Sequence, residues 1–314
     1  GGGVDTMLLM TEFGRGLCLE PYVETVIYAG GLLMQLGSPA QQNLLRQVAS
    51  GQLLLATAFE EPQSHYHLND VQTRAEQTAE GWTLTGRKAV VIGGHQAGLI
   101  LVSARISGES RDEHGIGLFL VDPQAAGVER RTYPTVDGRK ACDLYLDKVT
   151  VSADQVLGEP GQALAALRYQ QGRAIAAQCA DALGSMQEAC RLTLDYLKTR
   201  QQFGVAIGQF QVLQHRMVDM RTELEQATSM AILAACYCDE AHSLERTRTL
   251  AAAKFIVTRA ARNIAEQAIQ RHGGIGMTWE YSLAHHAKRL VMLSHQFGDD
   301  DHHLKAYAAL LDAA

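Results

Sequence analysis

The sequence predicts a multi-domain α+β protein with a helical start, an antiparallel β domain and a C-terminal helical bundle. Two changes of residue pattern along the 314-residue chain mark the three regions. An apolar fraction of 46% at this length is enough for a substantial core. We therefore expect domains at residues 1–51, 52–157 and 158–314.

The first region has the pattern of short helices. Met7, Met10 and Phe13 recur at three-residue and four-residue spacing, and Pro39 marks a break before a second helical pattern. The chain starts at Gly1 without an initiator methionine. We therefore expect an incomplete N-terminal helical domain.

The second region has the pattern of an antiparallel β domain. Its short runs of β-branched or alternating residues are bounded by turn residues such as Gly81, Gly115 and Gly127. No helical stretch of about 10–15 residues alternates with these runs, so a βαβ nucleotide-binding fold is disfavoured.

The third region predicts long amphipathic helices. The patterns are Ala-rich, contain no internal proline, and cover residues 164–197, 209–243, 247–272 and 281–311. Four helices of this length indicate a four-helix bundle.

Composition and motif spacing exclude several functions. A net charge of -6 without a basic stripe argues against nucleic acid, and no apolar run is long enough for a membrane span. The six cysteines form no CxxC pair, which indicates free thiols in a reducing, cytoplasmic location. The adjacent histidine pairs lack the i,i+4 spacing of a helical metal site, so no metal is expected.

Two strings within the helical region have functional potential. The first, RHGGIGMTWEY at residues 271–281, follows a long helix, which disfavours a Rossmann fingerprint. It is either a glycine helix cap or a turn whose N–H groups approach a phosphate or an adenine. The second covers residues 198–225, where Arg200 taken alone would most simply complement a helix dipole.

Together the two strings resemble the acyl-CoA dehydrogenase family. TRQQFGVAIGQFQVLQHRMVDM and QRHGGIGMTWEY are similar to its two signatures, and EEP, TRAE, GRK and LGEPGQ have counterparts there. The resemblance implies a helical domain, a barrel-like β domain and a four-helix bundle. It also implies FAD, an acyl-CoA substrate, α,β-dehydrogenation in an oligomer, and an electron-transfer acceptor.

The resemblance also implies a set of binding residues. Arg173 matches a family arginine in the substrate pocket. Six positions match residues that bind the adenine half of FAD, some of them across a dimer: Arg200, Phe203, Gln211, Gln270, Gly273 and Gly274. A guanidinium suits a pyrophosphate, and glycines allow close backbone approach.

The catalytic base of the family has no direct counterpart. Its two usual positions fall on Gly172 and Phe297, which cannot accept a proton. Asp299 lies two residues after Phe297 and is the candidate substitute base. The alternative is that Asp299 belongs to a solvated acidic helix start.

The flavin half of the site also departs from the family pattern. Glu60 stands where the family has a threonine that bonds the flavin ring, and Tyr66 replaces a phosphate-binding serine. Val90 and Ile92 replace the tryptophan and threonine beside the ring. These changes resemble the small, β-type subunits of heterotetramers. The alternative function is therefore a catalytically silent subunit that completes the FAD site of a base-bearing partner.

Overall fold

The computed structural model describes residues 1–311, which fall into two compact units. One unit contains residues 20–174, and the other contains residues 1–19 together with those from 175 onward. The three domain boundaries expected from the sequence stay a prediction. Among the described helices, none is both long and apolar enough to cross a membrane.

The unit of residues 20–174 begins with short helical segments. The first helix of the chain, α1 (Gly3–Arg15), belongs to the other unit. In this unit a π-helix covers Val23–Ala29 and continues into α2 (Gly30–Leu36). Two further short helices follow, α3 (Pro39–Gln42) and α4 (Leu44–Ala49). Ser38 and Gln41 cap α3 reciprocally, as serine before a proline at the first helical position favours.

A mixed sheet of eight strands forms most of the rest of this unit. Seven of them follow the order β6-β7-β3-β2-β4-β5-β8, and β1 pairs with β4. Their bounds are β1 (Leu55–Ala58), β2 (Arg74–Thr78), β3 (Gly81–Ile92), β4 (Leu99–Arg105), β5 (Ile116–Val121), β6 (Val128–Pro134), β7 (Lys140–Ser152) and β8 (Val156–Leu157). Most pairs are antiparallel, whereas β1 and β2 both run parallel to β4.

The expected barrel is not confirmed. Within the described residues, β6 pairs only with β7 and β8 only with β5, so the two ends of the sheet do not meet. Closure requires the end strands to pair. The sheet instead branches at β4, where β1 pairs along Leu99–Val102 and β2 joins at Arg105.

The other unit is helical. It contains α1 (Gly3–Arg15), most of α5 (Leu164–Thr199), α6 (Gln211–Tyr237), α7 (Leu244–His272), α8 (Ser282–His295) and α9 (Asp300–Leu311). A two-stranded hairpin of β9 (Gln201–Gln202) and β10 (Val205–Ala206) connects α5 to α6. Alanine-rich faces of α5, α6 and α7 form the buried core together with α8.

The fourth predicted helix, residues 281–311, is wrong as one element because it is two helices. The break falls at Phe297 and Gly298, whose φ angles of 56° and 105° cannot continue a right-handed helix. His303 Nε2 lies 2.8 Å from the Phe297 carbonyl oxygen and holds this turn. The helical region is therefore more finely divided than a four-helix bundle.

Helices α1 and α5 cross at two glycines. A Cβ atom on Gly14 would lie 1.9 Å from the Asp181 carbonyl oxygen, and one on Gly184 would lie 1.9 Å from that of Thr11. The Ser185 hydroxyl donates to the Gly14 carbonyl oxygen at 2.9 Å across the same contact. Only glycine allows the two backbones to approach so closely.

Candidate functional site

The six residues predicted to bind the adenine half of FAD all lie on the surface of the helical unit. Arg200, Phe203, Gln211, Gln270, Gly273 and Gly274 are exposed in the structure. Gln211 is the first residue of α6, and Gln270 lies in the last turn of α7. Their side chains and backbone are therefore accessible to a ligand.

A ring stack joins the two motifs that carry these residues. The Tyr196 and His272 rings are 4.4 Å apart at 27°. Arg200 N–H donates to the Tyr196 carbonyl oxygen at 2.8 Å, and His272 directly precedes Gly273. The end of α5 and the end of α7 therefore meet. Burial lowers the pKa of His272, which favours the neutral ring in this stack.

The glycine turn after α7 has an open face. Gly273 has φ 64° and requires glycine for its conformation. Cβ atoms built on Gly273 or Gly274 would meet no atom within 4 Å, whereas one on Gly276 would lie 2.9 Å from His272 Cβ. Packing within the described residues does not require a glycine at Gly274. The open turn fits backbone recognition of a phosphate or an adenine.

Phe203 is held out into solvent by the hairpin between α5 and α6. Its side chain is 91% exposed. Phe203 and Gly204 have φ values of 56° and 80°, the positive pair that a tight two-residue hairpin turn requires. An aromatic ring presented in this way has a large apolar surface available for a second molecule.

Among the flavin-half positions of the sheet unit, Glu60 lies just after β1, Val90 and Ile92 lie on β3, and Tyr66 lies in the loop between β1 and β2. Ala89 N–H donates to the Glu60 carbonyl oxygen at 3.0 Å and joins the two segments. The neighbouring Val90 is 45% exposed and has φ 53°, which is strained for a β-branched residue. Ile92 is buried, so it packs in the sheet core and leaves Val90 as the accessible replacement.

A buried ion pair fixes the same place. Lys88 Nζ lies 2.7 Å from Glu61 Oε1, and both side chains are almost fully buried. Lys88 also donates to the Ser103 hydroxyl at 3.0 Å, and Glu61 accepts the Thr73 N–H at 3.0 Å. Burial opposes ionisation, yet the charge and hydrogen bond of Lys88 hold the pKa of Glu61 down at about 2.

Glu60, next to this pair, has a different environment. Within residues 1–311 its carboxylate has no hydrogen bond or ion pair, although it lies near the Tyr28 hydroxyl. Burial raises the pKa of Glu60 to about 7, while the side chain stays partly accessible. Sequence comparison identified the position but not this property, because EEP does not reveal which carboxylate is paired.

Phe297, at one of the two expected base positions, has no carboxylate and is partly buried. Asp299 Oδ1 accepts His302 N–H at 2.8 Å and thereby caps α9. Its Oδ2 accepts no hydrogen bond from the described residues. The structure thus gives Asp299 a capping contact and leaves one oxygen for other chemistry.

The second base position and the predicted substrate residue lie in α5. Gly172 is buried and Arg173 is partly buried. An Arg173 N–H group lies 3.4 Å from Gln170 Oε1, and the Gln170 amide donates to the Gly31 carbonyl oxygen at 3.3 Å. Arg173 stays a predicted substrate contact.

The mixed sheet, the helical unit and the open glycine turn match a known class of protein. The family model described as acyl-CoA dehydrogenase, middle domain, matches residues 56–149, and that of the C-terminal domain matches residues 161–311. The 3-sulfinopropanoyl-CoA desulfinase of Paraburkholderia xenovorans is 32% identical over 282 residues, covering 87% of this chain and 71% of that protein. The probable acyl-CoA dehydrogenase YngJ of Bacillus subtilis is 29% identical over 293 residues, covering 90% and 76%.

Solved structures agree with the sequence relatives. Butyryl-CoA dehydrogenase from Megasphaera elsdenii superposes with a TM-score of 0.91 at 25% identity, covering 99% of this chain and 82% of that one. The chain belongs to the acyl-CoA dehydrogenase family. The expectations of a flavin oxidoreductase of this type and of FAD as its cofactor are confirmed. The relatives do not favour the alternative of a catalytically silent subunit.

Proposed function

We propose that this chain catalyses α,β-dehydrogenation of an acyl-CoA thioester in fatty acid or lipid metabolism, acting with FAD in an oligomer. Bound FAD would supply the acceptor for the hydride that leaves the β-carbon. The observation that carries the proposal is the exposed residue set around the open glycine turn of Gly273 and Gly274. Its donor chemistry fits a dinucleotide cofactor.

Each member of that set has a proposed role. The Arg200 guanidinium would pair with the pyrophosphate, and the amides of Gln211 and Gln270 would bond the adenine half. The free N–H groups at Gly273 and Gly274 would approach the same half closely. Phe203 would pack its exposed ring against the cofactor.

The exposure of all six residues supports a partner subunit. A chain that presents such groups on its own surface is suited to completing the FAD site of a second chain. The partner is either another copy, giving a homo-oligomer, or a related subunit in a heterotetramer. A separate electron-transfer acceptor would reoxidise the flavin. Six free cysteines support a reducing, cytoplasmic location.

The proposed proton acceptor for the α-carbon of the substrate is Asp299. Its Oδ2 is free of hydrogen bonds from the described residues, and the residue is partly exposed. Asp299→Asn keeps an N-cap acceptor for α9 and removes only the basic oxygen. We expect the variant to fold like the wild type and to lose most of its turnover. Unchanged turnover would reject Asp299 as the base.

The decisive experiment is purification of the chain from its host with any related subunit, followed by a count of FAD per chain. Acyl-CoA thioesters are then tested for flavin bleaching and enoyl-CoA formation, with Asp299→Asn as comparison. The panel includes 3-sulfinopropanoyl-CoA, after which the 32% identical relative is named. Flavin bleaching with a saturated acyl-CoA supports the proposal. A protein that binds no FAD, or that only removes the sulfinate group from 3-sulfinopropanoyl-CoA, contradicts it.

A further inference from the structure

Glu60 is set apart from the other carboxylates by its surroundings. It follows β1, and its backbone is joined to β3 through Ala89 N–H. The Phe59 side chain before it is buried and packs edge-on against the Tyr28 ring, with centroids 5.0 Å apart. The chain directly before Glu60 is therefore anchored by buried apolar packing.

The adjacent Glu61 has the hydrogen-bond partners expected of a buried structural carboxylate. Glu61 accepts hydrogen bonds from Lys88 Nζ, from the Gln63 amide and from the backbone N–H groups of Gln72 and Thr73. Glu60 has none of these partners within residues 1–311. A carboxylate held in apolar surroundings without a donor is costly unless it is protonated.

The titratable groups around Glu60 do not stabilise its charge. Tyr28, from the π-helix, is almost fully buried, and its hydroxyl donates to the Leu167 carbonyl oxygen at 3.3 Å. Lys88, from β3, is engaged by Glu61 and Ser103. Desolvation accordingly dominates, and it raises the pKa of Glu60 to about 7 while the pKa of Tyr28 is also raised.

We propose that the neutral Glu60 carboxyl donates a hydrogen bond to an acceptor on the ring of the bound flavin and loses this bond when it ionises. The inference rests on the proposed function, because it requires the flavin ring beside Glu60, where the family resemblance implies it. Glu60 is itself partly exposed, so a ligand can reach it, and the nearby Val90 is exposed as well. A carboxyl group can donate only in its neutral form.

This arrangement makes the flavin environment dependent on pH. Below the pH at which half of Glu60 is ionised, the neutral carboxyl donates a hydrogen bond to the acceptor on the flavin ring. Above this pH, the carboxylate faces the same acceptor and its negative charge disfavours adding electrons to the ring. The flavin of this chain should therefore be harder to reduce above pH 7 than the ordinary proton uptake of reduction explains.

The test uses FAD-loaded protein with any partner it requires, and three forms of the chain. Glu60→Gln keeps a neutral donor at every pH, and Glu80→Gln removes an exposed glutamate of the same unit as the matched control. The visible spectrum and reduction potential of the flavin are recorded from pH 5.5 to 9. Wild type and Glu80→Gln should show a one-proton transition within about one unit of pH 7. Glu60→Gln should show none.

A second readout does not require flavin. Protein with ¹³C-labelled glutamate carboxyls is titrated by NMR without FAD, and the Glu60 signal is assigned by its loss in Glu60→Gln. A midpoint near 7 supports the proposal, and an ordinary midpoint near 4.5 overturns it. If FAD binds and substrate bleaches it but the spectrum has no transition, only the Glu60 proposal fails. If the protein binds no FAD, the proposed function fails as well.

Discussion

Replacing Lys88 with methionine tests whether the Glu61–Lys88 pair stabilises the sheet unit. The two side chains are 2% and 0% exposed, so the change leaves a buried carboxylate without its counterion. Lowering the pKa of Glu61 from 4.5 to about 2 corresponds to about 3 kcal/mol at ~1.4 kcal/mol per unit. Removing one member of a buried pair typically costs about 3–5 kcal/mol. We therefore expect Lys88→Met to lose about 3–5 kcal/mol at pH 7.5.

The pH dependence separates charge from packing. In the wild type the depressed pKa of Glu61 gives stability that is present above pH 4.5 and is lost as the pH falls towards 2. In Lys88→Met, burial without the counterion raises the pKa of Glu61, so the variant is most destabilised at high pH. The stability difference between the two proteins should therefore shrink as the pH falls from 7.5 to 5.

The assay is urea denaturation followed by tryptophan fluorescence. The chain has two tryptophans, so Trp279→Phe leaves Trp82 as a reporter within β3. Trp82 packs on Phe119, with ring centroids 5.7 Å apart, and reports on the sheet unit. Arg87→Met is the matched control, because its exposed ion pair with Asp143 should contribute little.

Two results would refute this reasoning. One is a loss below about 1 kcal/mol in Lys88→Met, which would place the pair among ordinary surface interactions. The other is a loss that does not change with pH. A Lys88→Met/Glu61→Gln double variant should recover much of the stability, since it removes the unpaired charge. A double variant as unstable as Lys88→Met would assign the effect to packing.

Three further changes test other parts of the molecule. Arg200→Ala should weaken FAD binding at least about tenfold, because the exposed guanidinium is proposed to pair with the pyrophosphate. The urea midpoint should not change, and FAD affinity is measured by flavin fluorescence titration. Gly184→Ala should lower the free energy of unfolding by about 1–3 kcal/mol in urea denaturation, since its Cβ would meet the Thr11 carbonyl oxygen. Gly274→Ala should fold normally and bind FAD less tightly. Burial lowers the pKa of Lys254 to about 8, so wild-type stability should rise relative to Lys254→Met between pH 8 and 10.5 in thermal denaturation.

The sequence predicted the parts of the fold that depend on local pattern. Helical spacing gave long helices such as 247–272, observed at Leu244–His272, and alternating residues gave strands such as Gly81–Ile92. These features depend on residues that are neighbours in sequence. The open sheet and the parallel pairing of β1 with β4 depend on contacts between distant residues, which periodicity does not encode.

The break between α8 and α9 was missed for a related reason. Phe297 has no special preference for positive φ, and the residue is held there by contacts from elsewhere in the chain. His303 bonds its carbonyl group, and Gln178 donates to the neighbouring Gln296 side chain at 2.6 Å. Gly298 was the local signal, since glycine two residues before an acidic helix start is typical of a break.

The candidate site was likewise predicted only in part. The family resemblance placed Arg200 and Gly273 in a binding motif, and the structure finds both exposed, but no motif distinguishes Glu60 from Glu61. Their difference arises because Lys88, 27 residues after Glu61, has a side chain that reaches only one of them.

That unequal pairing has a chemical consequence. Four donors bond the Glu61 carboxylate and fix the backbone just after β1. Glu60 is therefore held in place without donors of its own. The Glu61 contacts hold the backbone rigid, so the Glu60 carboxyl cannot move towards water or a hydrogen-bond donor. Its pKa therefore stays high. Loss of the Lys88 charge leaves Glu61 without its counterion, and an unpaired neighbouring carboxylate disfavours ionisation of Glu60, so the pKa of Glu60 should not fall. Lys88→Met should therefore leave the flavin transition near pH 7 or shift it to higher pH, an effect that simple loss of stability does not produce.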